Sequence, residues 1–139
     1  MYTKILLAVD GSEHSIRATE EAIKVASLSS DSKITLVMVA DYSNAKSDVL
    51  HTGSSVELSM QRRKKILPNE ELLQRNDINY AVEILHGVPG PAIVEFANKN
   101  NYELLVIGSR GLNGLQEMVL GSVSHKVVKR ADCPVLIVK

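Results

Sequence analysis

Apolar and polar positions follow one another along this chain in two kinds of block. Short, nearly unbroken apolar runs at Lys4 to Val9, Ile34 to Ala40, Leu104 to Ile107 and Val135 to Val138 predict strands buried on both faces. Tyr80 to Leu85 alternates instead, with Val82 and Ile84 on one side and Glu83 on the other, the pattern of an edge strand. Between these runs the apolar positions fall at helical spacing. Ile16, Thr19, Ala22, Ile23 and Ala26 form a stripe that starts after a capping Ser12, carries Glu13 in its first turn, and closes at Ser29-Ser30-Asp31. Pro89, Gly90 and Pro91 open a second helix with Ile93, Val94 and Ala97. Val123, Val127, Val128 and Ala131 mark a third, with Lys126, Lys129 and Arg130 between them. Five strands separated by helices imply a parallel sheet covered on both faces.

The stretch from Asp41 to Asn79 is less regular. Asp41 to Ser55 is polar and without period, and is expected to be a mobile loop. A helix is expected from Ser54 or Ser55, carrying Met60, Arg63 and Leu67 inward or at the rim, with Leu72 and Leu73 on a second part. Pro68 cannot donate a backbone hydrogen bond and clashes with the preceding turn, so the helix should kink or break there. Arg62-Arg63-Lys64-Lys65 reads as a solvated face; the other reading is a contact for acidic partners.

Composition narrows the function classes. A chain of 139 residues fits one domain, taken as residues 1–139. Sixteen basic and sixteen acidic residues cancel, so no global field attracts nucleic acid, and five aromatics without Trp leave little for base stacking. Cys133 is the single cysteine, so no intrachain disulfide forms, and its place beside an apolar strand reads as a buried small hydrophobe. No segment approaches a membrane span, and the apolar run at Ile5 to Val9 is too short for a signal peptide. The expected location is the cytoplasm.

Candidate chemistry centres on Gly108-Ser109-Arg110-Gly111, nine further residues, then Gly121-Ser122-Val123. A strand feeds this passage and a helix leaves it, which suits phosphate binding: free N–H groups and the positive end of the helix dipole converge there. Glycine permits close approach of an anion and φ > 0. Ser122 can cap the helix or donate its hydroxyl to a phosphate, and Arg110 adds a charged planar fork. The alternative is an inert connection, but thirteen residues from Gly108 to Gly121 is long for a βα loop.

These residues resemble the universal stress protein family. Its nucleotide-loop pattern G-x-x-G-x9-G-S is matched at Gly108, Gly111, Gly121 and Ser122, and the likeness runs from Asp10-Gly11-Ser12 to Cys133-Pro134-Val135-Leu136-Ile137-Val138. The resemblance implies an α/β fold: an open five-stranded parallel sheet of order 3-2-1-4-5 with helices on both faces, Rossmann-like and of the adenine nucleotide alpha hydrolase-like kind. Strands one and four would then flank the reversal of winding, where ligands sit in such sheets. Ala8, Val9 and Asp10 would lie beside the glycine passage, Asp10 meeting a ribose hydroxyl or the adenine rim. Local sequence equally allows Asp10 a role as turn-former and cap. The backbone of Val39 would pair with an adenine edge. The implied ligand is ATP, carrying magnesium or manganese on its phosphates near Ser122. Family members usually have one helix where Pro68 stands, so Pro68 is a departure. A homodimer through the last strand is expected, because in this order an uncharged apolar strand lies at a sheet edge.

Catalysis has thin support in the residues. Glu117 is the only acidic candidate within the loop, and surface exposure explains it; His14, His51, His86 and His125 are scattered without metal-ligand spacing. His125 falls in the first turn of the last helix and His86 in a turn before Gly87. No G-x-x-x-x-G-K-[ST] occurs, and Asp10 alone does not make the acidic cluster of a receiver domain. The expected function is an ATP-binding regulatory module of the stress response. The alternatives are a slow ATP hydrolase using the same site and a nucleotide-free protein-interaction module.

Overall fold

A computed structural model describes residues 1–40, 55–110 and 121–139, with residues 55–59 described by their backbone alone. The part of the expected loop at residues 41–54, with His51, and residues 111–120, with Gly111 and Glu117, lie outside the described residues. The elements in chain order are β1 (Lys4–Ala8), α1 (Glu13–Ala26), β2 (Lys33–Ala40), α2 (Ser55–Lys65), α3 (Leu67–Arg75), β3 (Tyr80–His86), α4 (Pro89–Lys99), β4 (Leu104–Gly108), α5 (Ser122–Arg130) and β5 (Val135–Val138). All strand pairs are parallel, in the order β3-β2-β1-β4-β5.

The unbroken apolar runs serve two cores at once, because successive side chains of a strand point to opposite faces. Ile5, Leu7 and Val9 of the β1 segment join Leu104 and Val106 of β4 in the core under α1 and α3. Leu6 and Ala8 join Leu105 and Ile107 in the core under α4 and α5. Each fully buried Leu or Ile contributes about 1.5–3 kcal/mol of transfer free energy, so this doubly covered centre carries most of the fold. β3 is an edge strand as its alternation predicts, with Glu83 exposed.

Ser12 caps α1, its Oγ accepting from the Ser15 N–H at 3.2 Å. The buried face of α1 is lined by Ser15, Ala18, Thr19, Ala22 and Ala26, smaller than the predicted stripe, with Ile16 and Ile23 only half-buried. Small side chains let other elements approach closely. Asn69 of α3 uses that closeness, its Nδ2 donating to Thr19 Oγ1 at 2.9 Å and to the Ser15 carbonyl at 3.2 Å.

The helix broken at Pro68 departs from expectation in its phase. The chain leaves α2 at Ile66 and resumes as α3 with Pro68 in the first turn, where a missing N–H costs nothing. The buried stripe is Arg62, Ile66, Asn69, Glu70 and Leu73, while Met60 is 58% exposed and Leu67 46%. The expectation that Met60, Arg63 and Leu67 lie inward or at the rim is therefore corrected by one residue of rotation, with Arg62 and Ile66 inside. The basic run is a solvated face only at Arg63, Lys64 and Lys65; Arg62 is buried. Val128 is likewise exposed at 46%, and Cys133 is half-buried against the α4–α5 core, its thiol pushed up by burial.

A polar clamp holds the break. Arg63 on α2 donates to buried Glu70 on α3 through Nε to Oε2 and Nη2 to Oε1, both at 2.8 Å. The Tyr80 hydroxyl of β3 donates to Glu70 Oε1 at 3.1 Å and accepts from Gln74 Nε2 at 2.9 Å. The Arg63 hydrogen bonds hold the Glu70 carboxyl below the usual carboxylate range, against the opposing effect of burial. A depressed folded value means the stabilisation is fully present above the unfolded carboxylate range and is lost as pH falls through the folded value. Glu70→Gln should therefore lower the unfolding free energy by about 1–2 kcal/mol near neutral pH. Urea unfolding across pH should show the wild-type and variant curves converging in acid; a constant gap would contradict the clamp.

Candidate functional site

The carboxyl ends of β1 and β4 lie side by side because Ile5 pairs with Leu104 and Ala8 with Ile107. Two strand ends almost one hundred residues apart in sequence thus face the same crevice, at the point where the winding reverses. Ala8 and Val9 are both buried and serve opposite cores, so only their backbone borders the crevice. The Val9 N–H is already committed to the Val37 carbonyl at 2.9 Å. Asp10 follows, half-buried, its Oδ1 accepting from the Ser12 N–H at 2.9 Å. The turn-former role is thus present. Gly11 takes φ +85°, a conformation that strains any residue with a Cβ. Val39 sits near the end of β2, half-buried, paired in register with Leu85.

At the end of β4 the glycines do different jobs. A Cβ on Gly108 would lie 2.8 Å from His14 Cβ and 3.1 Å from the His14 carbonyl oxygen, so this glycine is what lets α1 reach the strand end. Gly121 has φ −61° and ψ 157°, an ordinary extended conformation, and among the described residues a Cβ there would meet Arg110 Cα and the Ser109 oxygen, both at an ordinary 3.5 Å. The expectation that positive φ explains the glycines does not hold at Gly121. Its N–H donates to the Ser109 carbonyl at 2.8 Å, and the Ser109 N–H donates to the Val138 carbonyl at 2.7 Å. The two ends of the long connection are therefore pinned together against β5, with half-buried Arg110 beside them.

Gly121, rather than Ser122, is the N-cap of α5, and no side chain caps it. Ser122 is the first helical residue and exposed; Val123 is half-buried against the α4–α5 core. The first intrahelical donor is His125, whose N–H reaches the Gly121 carbonyl at 3.0 Å. Among the described residues, the N–H groups of Ser122, Val123 and Ser124 have no acceptor. Three open donors and the helix dipole face the crevice, as anion binding requires.

Two residues of this site were not singled out by sequence. Ser124 is buried and donates to the Gly108 carbonyl at 2.6 Å, tying α5 to the end of β4. Its signal was a small polar residue in an apolar stripe, on the face where Val128 had been expected. His14 lies against Gly108; Arg17 Nη2 donates to its Nδ1 at 3.2 Å, and Ser109 Oγ lies 3.5 Å from the same nitrogen. Burial first, then the cations Arg17 and Arg110, lower its pKa. His125 is exposed, and His86 ends β3 before Gly87 at φ +127°.

The sequence model of the universal stress protein family matches residues 1–139. A universal stress protein of Methanocaldococcus jannaschii is 34% identical over 148 aligned residues, which cover all of this chain and 83% of the relative. The solved structure of hypothetical protein MJ0577 superposes with a TM-score of 0.85 at 28% identity, covering 100% of this chain and 96% of that one. A universal stress protein family protein from Arabidopsis thaliana, solved with AMP bound, superposes with a TM-score of 0.67 at 26% identity, over 99% and 91% of the two chains.

The contact at Gly108 makes a test. Gly108→Ala should cost about 1–3 kcal/mol of stability, because the methyl meets helix backbone that cannot yield locally. Gly121→Ala, with room for its Cβ, should cost less than about 1 kcal/mol, mainly through a poorer helix cap. Thermal unfolding of the two variants side by side would reveal the asymmetry; equal losses would contradict these distinct roles.

Proposed function

Given that the chain belongs to the universal stress protein family, we propose that it is an ATP-binding regulatory module of the stress response, its nucleotide laid across the ends of β2, β1 and β4. The observation that carries this reading is the set of open N–H donors at Ser122, Val123 and Ser124. They begin the helix that follows β4, and β4 pairs with β1, the strand that leads into Asp10. The AMP complex of the Arabidopsis relative supports the same ligand class.

Each end of the crevice suits one part of an adenine nucleotide. The phosphates take the N-terminus of α5, the Ser122 hydroxyl and Arg110. Asp10 offers carboxylate oxygen to a ribose hydroxyl, and the backbone of Val39 offers a donor and an acceptor to the base edge. Gly108 contributes by admitting α1 rather than by touching ligand, while Gly121 leaves space for phosphate at the helix start. An exposed hydroxyl beside a polyphosphate suits a hard cation, so magnesium or manganese would arrive on the nucleotide and neutralise phosphate charge near Ser122. Among the described residues no helix is long and apolar enough to cross a membrane.

The assembly follows from the sheet edge. Among the described residues β5 pairs only with β4, and Val135, Leu136 and Ile137 remain half-buried. We propose a homodimer in which this strand meets its own copy across a two-fold axis, satisfying the outward backbone groups.

Calorimetry should detect ATP with magnesium at micromolar affinity, about −8 kcal/mol. Gly121→Val should abolish that binding while unfolding remains cooperative, and Ser122→Ala should weaken it by about 1–2 kcal/mol. No heat at millimolar ATP, or unchanged affinity in Gly121→Val, would refute the nucleotide reading. Sedimentation equilibrium should show a dimer at tens of micromolar, converted to monomer by Ile137→Lys. A wild-type monomer, or a folded Ile137→Lys variant that stays dimeric, would refute the edge interface.

A further inference from the structure

Arg62 has no evident structural employment. It lies on the inner face of α2, only 8% exposed, between exposed Gln61 and exposed Arg63. Arginine is almost never buried without a partner. Yet the carboxylate that is buried among the described residues, Glu70 on the adjoining helix, is taken by Arg63, and Arg62 forms no hydrogen bond or ion pair with any described residue. Among the described residues the only shielded side-chain polar atom lacking a partner is Asn69 Oδ1. The Arg62 nitrogens are therefore not sealed in: the stem is covered and the head group reaches a wetted space.

That space can be placed. The last turn of α2 rests on the β1–α1 turn, with the Lys65 carbonyl oxygen 3.2 Å from the position of a Cβ on Gly11. The stripe Arg62, Ile66, Asn69, Leu73 continues through α3, which ends at Arg75 just before β3 begins at Tyr80. The helices therefore descend towards the amino ends of the strands. Going back from Lys65 to Arg62 climbs about 4.5 Å in the opposite direction, beyond the carboxyl ends. Ile66 and Leu73 pack with Val9, Met38, Tyr80 and Val82, which puts α2 and α3 on the β1–β2–β3 half of the sheet, away from the N-terminus of α5. Arg62 is thereby placed at the carboxyl-end side of the β1–β2–β3 half of the sheet, the half assigned above to the nucleoside.

We propose that Arg62 is a ligand-contacting residue, its guanidinium laid against the face of the adenine base. This rests on the nucleotide reading and adds to it a base-stacking group supplied by α2. The guanidinium is planar and weakly hydrated, so it stacks on heteroaromatic rings as an ammonium does not. The described aromatics are placed elsewhere: Tyr2 precedes β1 at its amino end, Tyr80 hydrogen-bonds Glu70, and Phe96 stacks on Tyr102 with ring centroids 5.7 Å apart. An arginine held by its buried stem is a preorganised substitute.

The test is calorimetric titration of adenosine, AMP and ATP with magnesium into wild type, Arg62→Ala, Arg62→Lys and Arg62→Met. Arg62→Met keeps the apolar stem volume and serves where Arg62→Ala fails to fold. Arg62→Ala or Arg62→Met should weaken all three ligands by a similar factor, roughly tenfold. Arg62→Lys should restore little of it, because charge returns without the plane. Unchanged affinity in a folded variant, a loss confined to ATP, or full rescue by lysine would each overturn the proposal while leaving nucleotide binding intact. A wild-type protein that takes up none of the three ligands would overturn the nucleotide reading itself.

Discussion

Parallel pairing of β1 with β4, in register from Ile5↔Leu104 to Ala8↔Ile107, is the contact on which the rest of this molecule depends. It puts the least polar strands at the sheet centre, where each supplies side chains to both cores. It also forces the chain to reverse its winding between them. The reversal leaves a crevice at the carboxyl edge, because the connections from the two strands diverge to opposite faces. Every group assigned to the ligand lies along that edge.

The close approach of α1 is the second requirement. Its small buried face allows Asn69 to reach the Ser15 carbonyl, and Gly108 leaves no Cβ in the way of His14. On the other face Ser124 donates to the Gly108 carbonyl, so both covering layers are tied to the same residue. One glycine thus sets the position of two helix N-termini relative to the strand end. The site is rigid where the scaffold converges, and the open N–H donors of α5 are a consequence of that placement.

The polar clamp of Arg63, Glu70 and Tyr80 addresses a different problem. A helix interrupted at Pro68 loses backbone hydrogen bonds, and a bidentate charged pair across the gap restores its continuity. By taking Glu70, Arg63 also leaves its neighbour Arg62 without that partner. The break that shapes α2 and α3 therefore sets which arginine is buried on the inner face of α2.

Much of this was legible in the sequence. Continuous apolar runs fix strands buried on both faces, since period-two alternation vanishes when both sides are covered. The helix at Ser12, the edge character of β3 and the break at Pro68 follow from local chemistry alone. The glycine passage and its helix mark a candidate phosphate site through spacing, and the family resemblance supplies the strand order that local pattern cannot. What only the tertiary structure decided concerns groups whose partners are remote. The apolar period sets the rotation of α2 and α3 off by one residue, because a long side chain such as Arg62 can bury its stem while Met60 stays exposed. Gly108 and Gly121 look alike in sequence, yet one is required by a helix almost a hundred residues earlier and the other meets only ordinary contacts among the described residues. Ser124 and His14 join the site only because β1 and β4 are neighbours. Periodicity records which face of an element is apolar; what stands opposite that face is settled by packing.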